Sequence, residues 1–269
     1  MKVYSNGDLV QREDLKEIFE PGYLFGWGVF EPIRVYGDNI SFLDEHIKRL
    51  NDGLGLLGLE KASVDFEEEI WKVINANDVE DAYLRLTAYK KRQSTGLLIY
   101  ADSFGYYTDE VYEKGFTCVV SPHRRNPEDL SSKVKSLSYL QNRVSWLEAQ
   151  KRKKSEALML NLNNKVCGGS RSNLFIINDN QLITPPLKSG AFSGITREKV
   201  LELAKDLNIE IVERAIENSE INLSSEAFIT SALMEVMPLV EFEDKPIGNG
   251  KPGSLTNQLL SEYRTLTRK

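Results

Sequence analysis

Two short stretches carry side chains able to do chemistry at useful spacing. Ser193-Gly194-Ile195-Thr196-Arg197 is a glycine turn that runs into a segment where Val200, Leu203, Ala204 and Leu207 fall at i, i+3, i+4 and i+7. That spacing predicts a helix with one buried face. Its start combines small residues, a hydroxyl and unpaired N–H groups at the positive end of a helix dipole, a seat for a phosphate. Ser and Thr also cap helices that bind nothing, and this is their commoner use. The second stretch, Lys135-Ser136-Leu137-Ser138-Tyr139-Leu140, sets a lysine at an element boundary beside apolar residues. A lysine partly removed from water has a lowered pKa and becomes a nucleophilic amine suited to imine chemistry.

The elements that must position these residues follow from periodicity and turn chemistry. Val3-Tyr4 with Asn6-Gly7 predicts a first hairpin, and Gly28–Glu31 and Ile33–Tyr36 predict strands near a turn at Gly37-Asp38-Asn39. Helices are expected over 44–59 and 66–75, and strands over 82–89, 95–101 and 116–120. Pro122-His123-Arg124-Arg125-Asn126-Pro127 is the candidate interdomain linker. This gives an N-terminal α+β domain over 1–121, a linker over 122–130 and a C-terminal α+β domain over 131–269. In the second domain Leu137, Leu140, Val144 and Leu147 keep helical spacing. Hairpins are expected at Asn163-Asn164 and Asn178-Asp179-Asn180, then strands over 210–214, 227–230 and 239–242, and a last helix over 255–264.

Composition narrows the function classes. The 269 residues carry a net charge of -6 with both signs interspersed, which argues against a nucleic-acid surface. Cys118 and Cys167 are far apart, and with only His46 and His123 they offer no metal-like spacing. The N-terminus lacks an apolar signal core and no run of about 18 apolar residues exists, so a cytoplasmic protein without a membrane partner is expected.

In sequence order, several motifs resemble the pyridoxal-phosphate enzymes of fold type IV: branched-chain and D-amino acid aminotransferases and 4-amino-4-deoxychorismate lyase. Phe25-Gly26-Trp27-Gly28-Val29-Phe30-Glu31-Pro32-Ile33-Arg34 is similar to the early G-x-x-V-F-E-x-I-R segment, and His46-Ile47-Lys48-Arg49-Leu50 to H-x-x-R-L. Ser172-Asn173-Leu174-Phe175, Leu182-Ile183-Thr184-Pro185 and Gly194-Ile195-Thr196-Arg197 match later signatures. The resemblance covers about residues 20–260. It implies a two-domain α+β fold like that of D-amino acid aminotransferase, with pyridoxal 5'-phosphate between the domains, and a homodimer. It also implies roles: Lys135 holds the cofactor aldehyde as an imine, while Arg49, Ile195 and Thr196 grip the phosphate. Tyr139 faces the ring hydroxyl, and Phe30 and Arg85, in Tyr83-Leu84-Arg85-Leu86, face the substrate. The rival readings are a helix-surface arginine for Arg49, a plain cap for Thr196 and a surface strand arginine for Arg85.

Two departures shape the expected activity. Relatives usually carry a glutamate, partner of the cofactor ring nitrogen, five residues before the asparagine of S-N-x-F; here that place is Gly168. Ser231-Ala232-Leu233-Met234-Glu235-Val236-Met237-Pro238 resembles the lyase segment N-A-L-M-x-V-M-P. There Ser231 stands for a polar phosphate-side contact, and Ala232 lacks a threonine hydroxyl. Pyruvate elimination gains driving force from ring aromatisation and depends less on a strong electron sink. The first expectation is therefore an aminodeoxychorismate lyase of folate biosynthesis. The alternatives are an aminotransferase for branched-chain or D-amino acids, and a cofactor-binding protein that has lost turnover. Gly53-Leu54-Gly55-Leu56-Leu57-Gly58 fits a dinucleotide pattern but continues a helix, so packing glycines explain it better. His46 is expected to be structural.

Overall fold

The computed structural model describes residues 1–268. The chain opens with a hairpin, β1 (Lys2–Ser5) and β2 (Asp8–Gln11), and a short helix α1 (Pro21–Phe25). β3 (Gly28–Tyr36), β4 (Asn39–Ile40), α2 (Leu43–Leu56), α3 (Phe66–Asn77), β5 (Asp81–Lys90) and β6 (Thr95–Ser103) follow. Next come α4 (Asp109–Lys114), β7 (Phe116–Arg125), α5 (Leu130–Lys133), α6 (Leu140–Lys151), β8 (Glu156–Asn161), β9 (Lys165–Gly169), β10 (Asn173–Asn178) and β11 (Gln181–Thr184). The chain closes through α7 (Ile195–Asp206), β12 (Glu210–Glu213), β13 (Ile216–Glu217), α8 (Asn218–Leu223), β14 (Glu226–Ser231), β15 (Glu235–Phe242), β16 (Lys245–Pro246) and α9 (Ser254–Thr267).

These elements build the α+β architecture expected from the sequence. A four-stranded sheet runs β4-β3-β5-β6, and a ten-stranded sheet runs β12-β11-β10-β14-β15-β7-β8-β9-β13 with β16 on β15. The smaller sheet buries Val29, Ile33, Val35, Leu84 and Leu86 against Leu50 and Leu54 of α2 and Ile70 of α3. In the larger sheet, β8, β10, β14 and β15 are buried almost along their whole length. Continuous apolar runs of this kind mark strands covered on both faces. Phe175 and Phe228 stack at 4.9 Å within that core.

Three details differ from the sequence reading. Strands expected on either side of Pro32 are one strand, because the β3 residues pair with β5 without interruption. Pro122–Arg125 lie inside β7, which pairs with β8 and β15 of the larger sheet. The apolar spacing around α6 does not mark its buried face: Leu140 and Leu147 are exposed, while Ser145 and Ala149 are buried. Small residues there let the helix approach Val119 and Ala157 closely. Gly53 is a packing glycine, since a Cβ there would meet Val29 Cγ1 at 3.0 Å.

Two joins bring the sheets together at one place. Phe30 N donates to Lys135 O at 2.9 Å and Leu137 N donates to Gly28 O at 2.9 Å, strapping the lysine segment to β3. Arg49 Nη1, on α2, donates to Ser193 O at 2.8 Å just before α7.

Candidate active site

Between the sheets lies a cavity of about 980 Å³. Phe30, Arg49, Arg85, Lys135, Tyr139, Ile195, Thr196, Ser231 and Ala232 all line it. Gly168 does not, although its neighbours Gly169 and Ser170 do.

Lys135 Nζ sits 5.1 Å from the ring centres of Phe30 and Phe192 and 5.7 Å from that of Tyr139. Burial among these rings, helped by the charge of Arg49 and opposed by Glu31, pushes its ammonium down to about 8. The amine is thus partly unprotonated near neutral pH, which nucleophilic chemistry requires. Phe30 also stacks under the Arg85 guanidinium at 3.9 Å, so one ring positions both cations. Arg85 Nε donates to Thr87 Oγ1 at 3.1 Å, and its side chain faces the cavity rather than open surface.

Arg49 is fixed by Glu31, whose Oε1 and Oε2 accept from Nε at 2.8 Å and from Nη2 at 2.6 Å. His46 Nδ1 lies 2.7 Å from the same Oε2. Burial alone would raise the Glu31 carboxyl, but the Arg49 charge and the hydrogen bonds hold it at about 2. Burial lowers the His46 pKa despite the pull of Glu31, leaving a neutral ring whose Nδ1–H orients the carboxylate. His46 is structural here.

α7 starts at Ile195 with Gly194 as its cap and no side chain bound to the exposed N–H groups. Thr196 is not the cap: its hydroxyl lies 3.3 Å from Tyr263 Oη. The signatures at 173 and 194 meet directly. Asn173 Nδ2 donates to Phe192 O at 2.7 Å, and the Asn173 amide fills the space a Cβ at Gly194 would need. Only glycine lets that turn deliver Arg49 and the α7 N-terminus to one point.

Tyr139 donates its hydroxyl to Ser170 O at 3.0 Å. Burial, with the charge of Glu156, raises the phenol to about 12, so it remains a donor. Gly168 has φ +132°, and a Cβ there would stand 2.9 Å from Ser172 O. Among the described residues no aspartate or glutamate lines the cavity. Glu156 lies behind the wall, fully buried, accepting from Ala157 N, Ser170 N, Ser170 Oγ and Ser172 Oγ.

Several lining residues carried no recognised signal in the sequence. Arg125 lies in the stretch read as a linker, yet its buried guanidinium donates to Gly190 O at 3.1 Å and Gly169 O at 3.2 Å. Thr230 presents a buried hydroxyl without a partner. Asn142 Nδ2 donates to Ser170 O at 2.5 Å. Phe192 was detectable as an aromatic residue next to the phosphate-seat turn.

These features suit pyridoxal phosphate. An uncapped helix start beside Arg49 and the orphaned Thr230 hydroxyl await an acceptor-rich group, and Lys135 offers its amine within an aromatic cage. Position 168, where the resemblance expects an anion, brings none.

An amine tuned toward neutrality, facing a cationic helix start across one cleft, defines a pyridoxal-phosphate-dependent enzyme. The model of the amino-transferase class IV family matches residues 28–242, and the chain belongs to that family. It is 31% identical over 281 residues to a putative branched-chain-amino-acid aminotransferase of Methanocaldococcus jannaschii, covering 100% of this chain and 97% of that protein. It is 30% identical to a D-alanine aminotransferase of Bacillus licheniformis, covering 97% and 98% of the two chains. The structure superposes with a TM-score of 0.88 on a T.th. branched-chain amino acid aminotransferase solved with pyridoxamine 5'-phosphate. Identity there is 27%, covering 100% of this chain and 95% of that one.

These relatives correct the first functional expectation. They are named for amino transfer, so the aminodeoxychorismate lyase and folate reading is unsupported and the aminotransferase alternative is the supported one. The physical reason lies in residues 231–238. Met234 and Met237, which carry much of the lyase likeness, are 2% and 0% exposed and belong to the core of the larger sheet. No helix among the described residues is long and apolar enough to cross a membrane.

Proposed function

We propose that this chain is an aminotransferase exchanging an amino group between an amino acid and a 2-oxo acid, with branched-chain or D-amino acids as substrates. The observation that carries the reading is Lys135, an amine held near pKa 8 in the cavity that also holds Arg49 and the α7 N-terminus. When bound, pyridoxal phosphate supplies an aldehyde to hold the amino group and a ring to take up electrons. Arg49, locked by Glu31, and the N–H groups of Ile195 and Thr196 hold the phosphate, with Ser231 and the backbone at Ala232 beside them. Lys135 would hold the aldehyde carbon, and its free amine would move a proton at the substrate α-carbon. Tyr139, its hydrogen on Ser170 O, would turn its oxygen to the ring hydroxyl, and Arg85, kept in place by Phe30 and Thr87, would take a substrate carboxylate.

We further propose a homodimer in the cytoplasm. Tyr23, Leu24, Phe25 and Trp27 form an exposed apolar run of the kind that seeks a partner surface, and both cysteines are free and buried. The activity is tested with purified holoenzyme, L-leucine or D-alanine and a 2-oxo acid. Ping-pong kinetics, and borohydride trapping mapped to Lys135, are expected. Release of pyruvate and 4-aminobenzoate from aminodeoxychorismate, without any 2-oxo acid acceptor, would overturn it.

A further inference from the structure

We propose that Tyr263 is a positioning residue for the phosphate seat: its buried hydroxyl donates to Thr196 Oγ1 and so turns the Thr196 hydrogen into the cavity. The inference rests on the phosphate seat of the reading above, and is independent of which amino acid is converted. Thr196 is the second residue of α7 and lines the cavity. Tyr263 lies in α9, behind the cavity wall, with its ring packed on Phe42 at 5.9 Å. Phe42 precedes α2, the helix that carries Arg49, and α2 is tied to α7 by Glu45 and Lys199 at 3.0 Å. Tyr263 is therefore held between the two helices that form the seat, and its hydroxyl has little freedom to turn elsewhere.

Proton accounting sets the direction of this bond. The two hydroxyl oxygens lie 3.3 Å apart, and among the described residues neither has another hydrogen-bond partner. One bond holds one hydrogen. If Thr196 donated, the Tyr263 hydrogen would be stranded in a packed interior, since the residue is only 2% exposed. A buried donor without an acceptor costs about 1–3 kcal/mol. If Tyr263 donates, the spare hydrogen is that of Thr196, and it faces a cavity where water or a ligand oxygen accepts it. The second arrangement wins by that margin. Burial also raises the Tyr263 phenol above its ordinary pKa, so the hydrogen stays on it.

Direction is what the seat requires. A phosphate dianion accepts hydrogen bonds and donates none, so a hydroxyl attracts it only when the hydrogen points outward. A threonine hydroxyl left to itself rotates, and presents its oxygen to the anion as readily as its hydrogen. The Tyr263 donor fixes that choice before any ligand arrives, which lowers the ordering cost of binding. Position 232, where the resemblance expects a threonine, is Ala232, so the hydroxyl on α7 has one companion fewer.

The experiment titrates the full chain, freed of cofactor, with pyridoxamine 5'-phosphate and with pyridoxamine, which lacks the phosphate. Neither forms an imine with Lys135, so binding alone is read. Tyr263→Phe keeps the ring on Phe42 and removes only the donor. It is expected to weaken pyridoxamine 5'-phosphate about fivefold, the effect of one hydrogen bond, and to leave pyridoxamine unchanged. That unchanged affinity also reports an intact fold. Thr196→Val should weaken the phosphate ligand about tenfold, and in that background Tyr263→Phe should add nothing, because the hydroxyl it acts through is gone. Thr196→Ser retains the hydroxyl and should retain the fivefold effect. In the holoenzyme, the phosphorus resonance of the bound phosphate should move in the same direction in Tyr263→Phe and Thr196→Val. A Tyr263→Phe loss that is equal for both ligands, or equal with and without the Thr196 hydroxyl, overturns the positioning role. Weakening by Thr196→Val with no effect of Tyr263→Phe overturns it as well, while leaving the phosphate seat standing. A Thr196→Val variant that binds both ligands like the parent sinks Thr196 as part of the seat, and the proposal with it.

Discussion

Lys135 shows how a single side chain carries an energetic cost that serves chemistry. Its surroundings lower the ammonium from 10.5 to about 8, so holding a proton there destabilises the cofactor-free protein. The unfolded chain binds more protons than the folded one between these values, and stability therefore rises with pH across that window. Below about 8 the full cost is present; above about 10.5 it is gone. Lys135→Met, similar in length but neutral, should stabilise the cofactor-free protein by up to about 3 kcal/mol at pH 7. The gain should close as pH approaches 10.5, and urea unfolding at several pH values measures it. The same variant should lose borohydride trapping and turnover. A gain equal at pH 7 and pH 10 would show that packing, rather than charge, is responsible.

At the level of elements, the wall between β9 and β10 decides what the site lacks. Gly168 stands where the family resemblance expects a glutamate, yet its φ of +132° and the nearby Ser172 O leave no room for a side chain. Restoring the acid is not a point change. Gly168→Glu should cost about 1–3 kcal/mol of stability from the left-handed backbone alone. It should lower the thermal midpoint without speeding amino transfer. A variant as stable as the parent, with faster turnover, would mean that the wall relaxes and accepts the carboxylate. The α7 start is governed by similar constraints, since Asn173 on β10 holds Phe192 O and fills the space beside Gly194.

On the scale of the molecule, a third join complements those at Lys135 and Arg49. Tyr36, at the end of β3, donates to Glu235 Oε1 at 2.5 Å, and Asn39 Nδ2 donates to Thr267 O at 2.8 Å. Glu235 is 2% exposed and also accepts from Arg264 and Arg268. Burial would raise its carboxyl, but the Tyr36 hydrogen bond and the arginines hold it below the usual range. Its contribution to stability is therefore present above the ordinary carboxylate pKa and lost as pH falls through the lowered value. Tyr36→Phe leaves that buried anion short of one donor. A loss of about 1–3 kcal/mol is expected in denaturant unfolding at pH 7, shrinking in acid. No change would mean that the two arginines suffice.

Periodicity and turn chemistry determined much of this protein, because they act over a few residues. The α2 and α3 helices, the β5, β6, β8, β9, β10 and β11 strands, and the amine at 135 were legible from local spacing. The glycine turn at 194 that opens α7 was legible in the same way. Local spacing misread α6, where close packing on Val119 and Ala157 overrides the outward leucines. It also gave no sign of Arg125 or Thr230. Those residues acquire meaning only when β7, α6 and the β9–β10 wall, distant in the chain, close around one cavity. Tertiary structure alone decided that neighbourhood. The field on Lys135, the anchor for Arg49 and the absence of a carboxylate from the wall depend on distances through space, which sequence spacing does not encode.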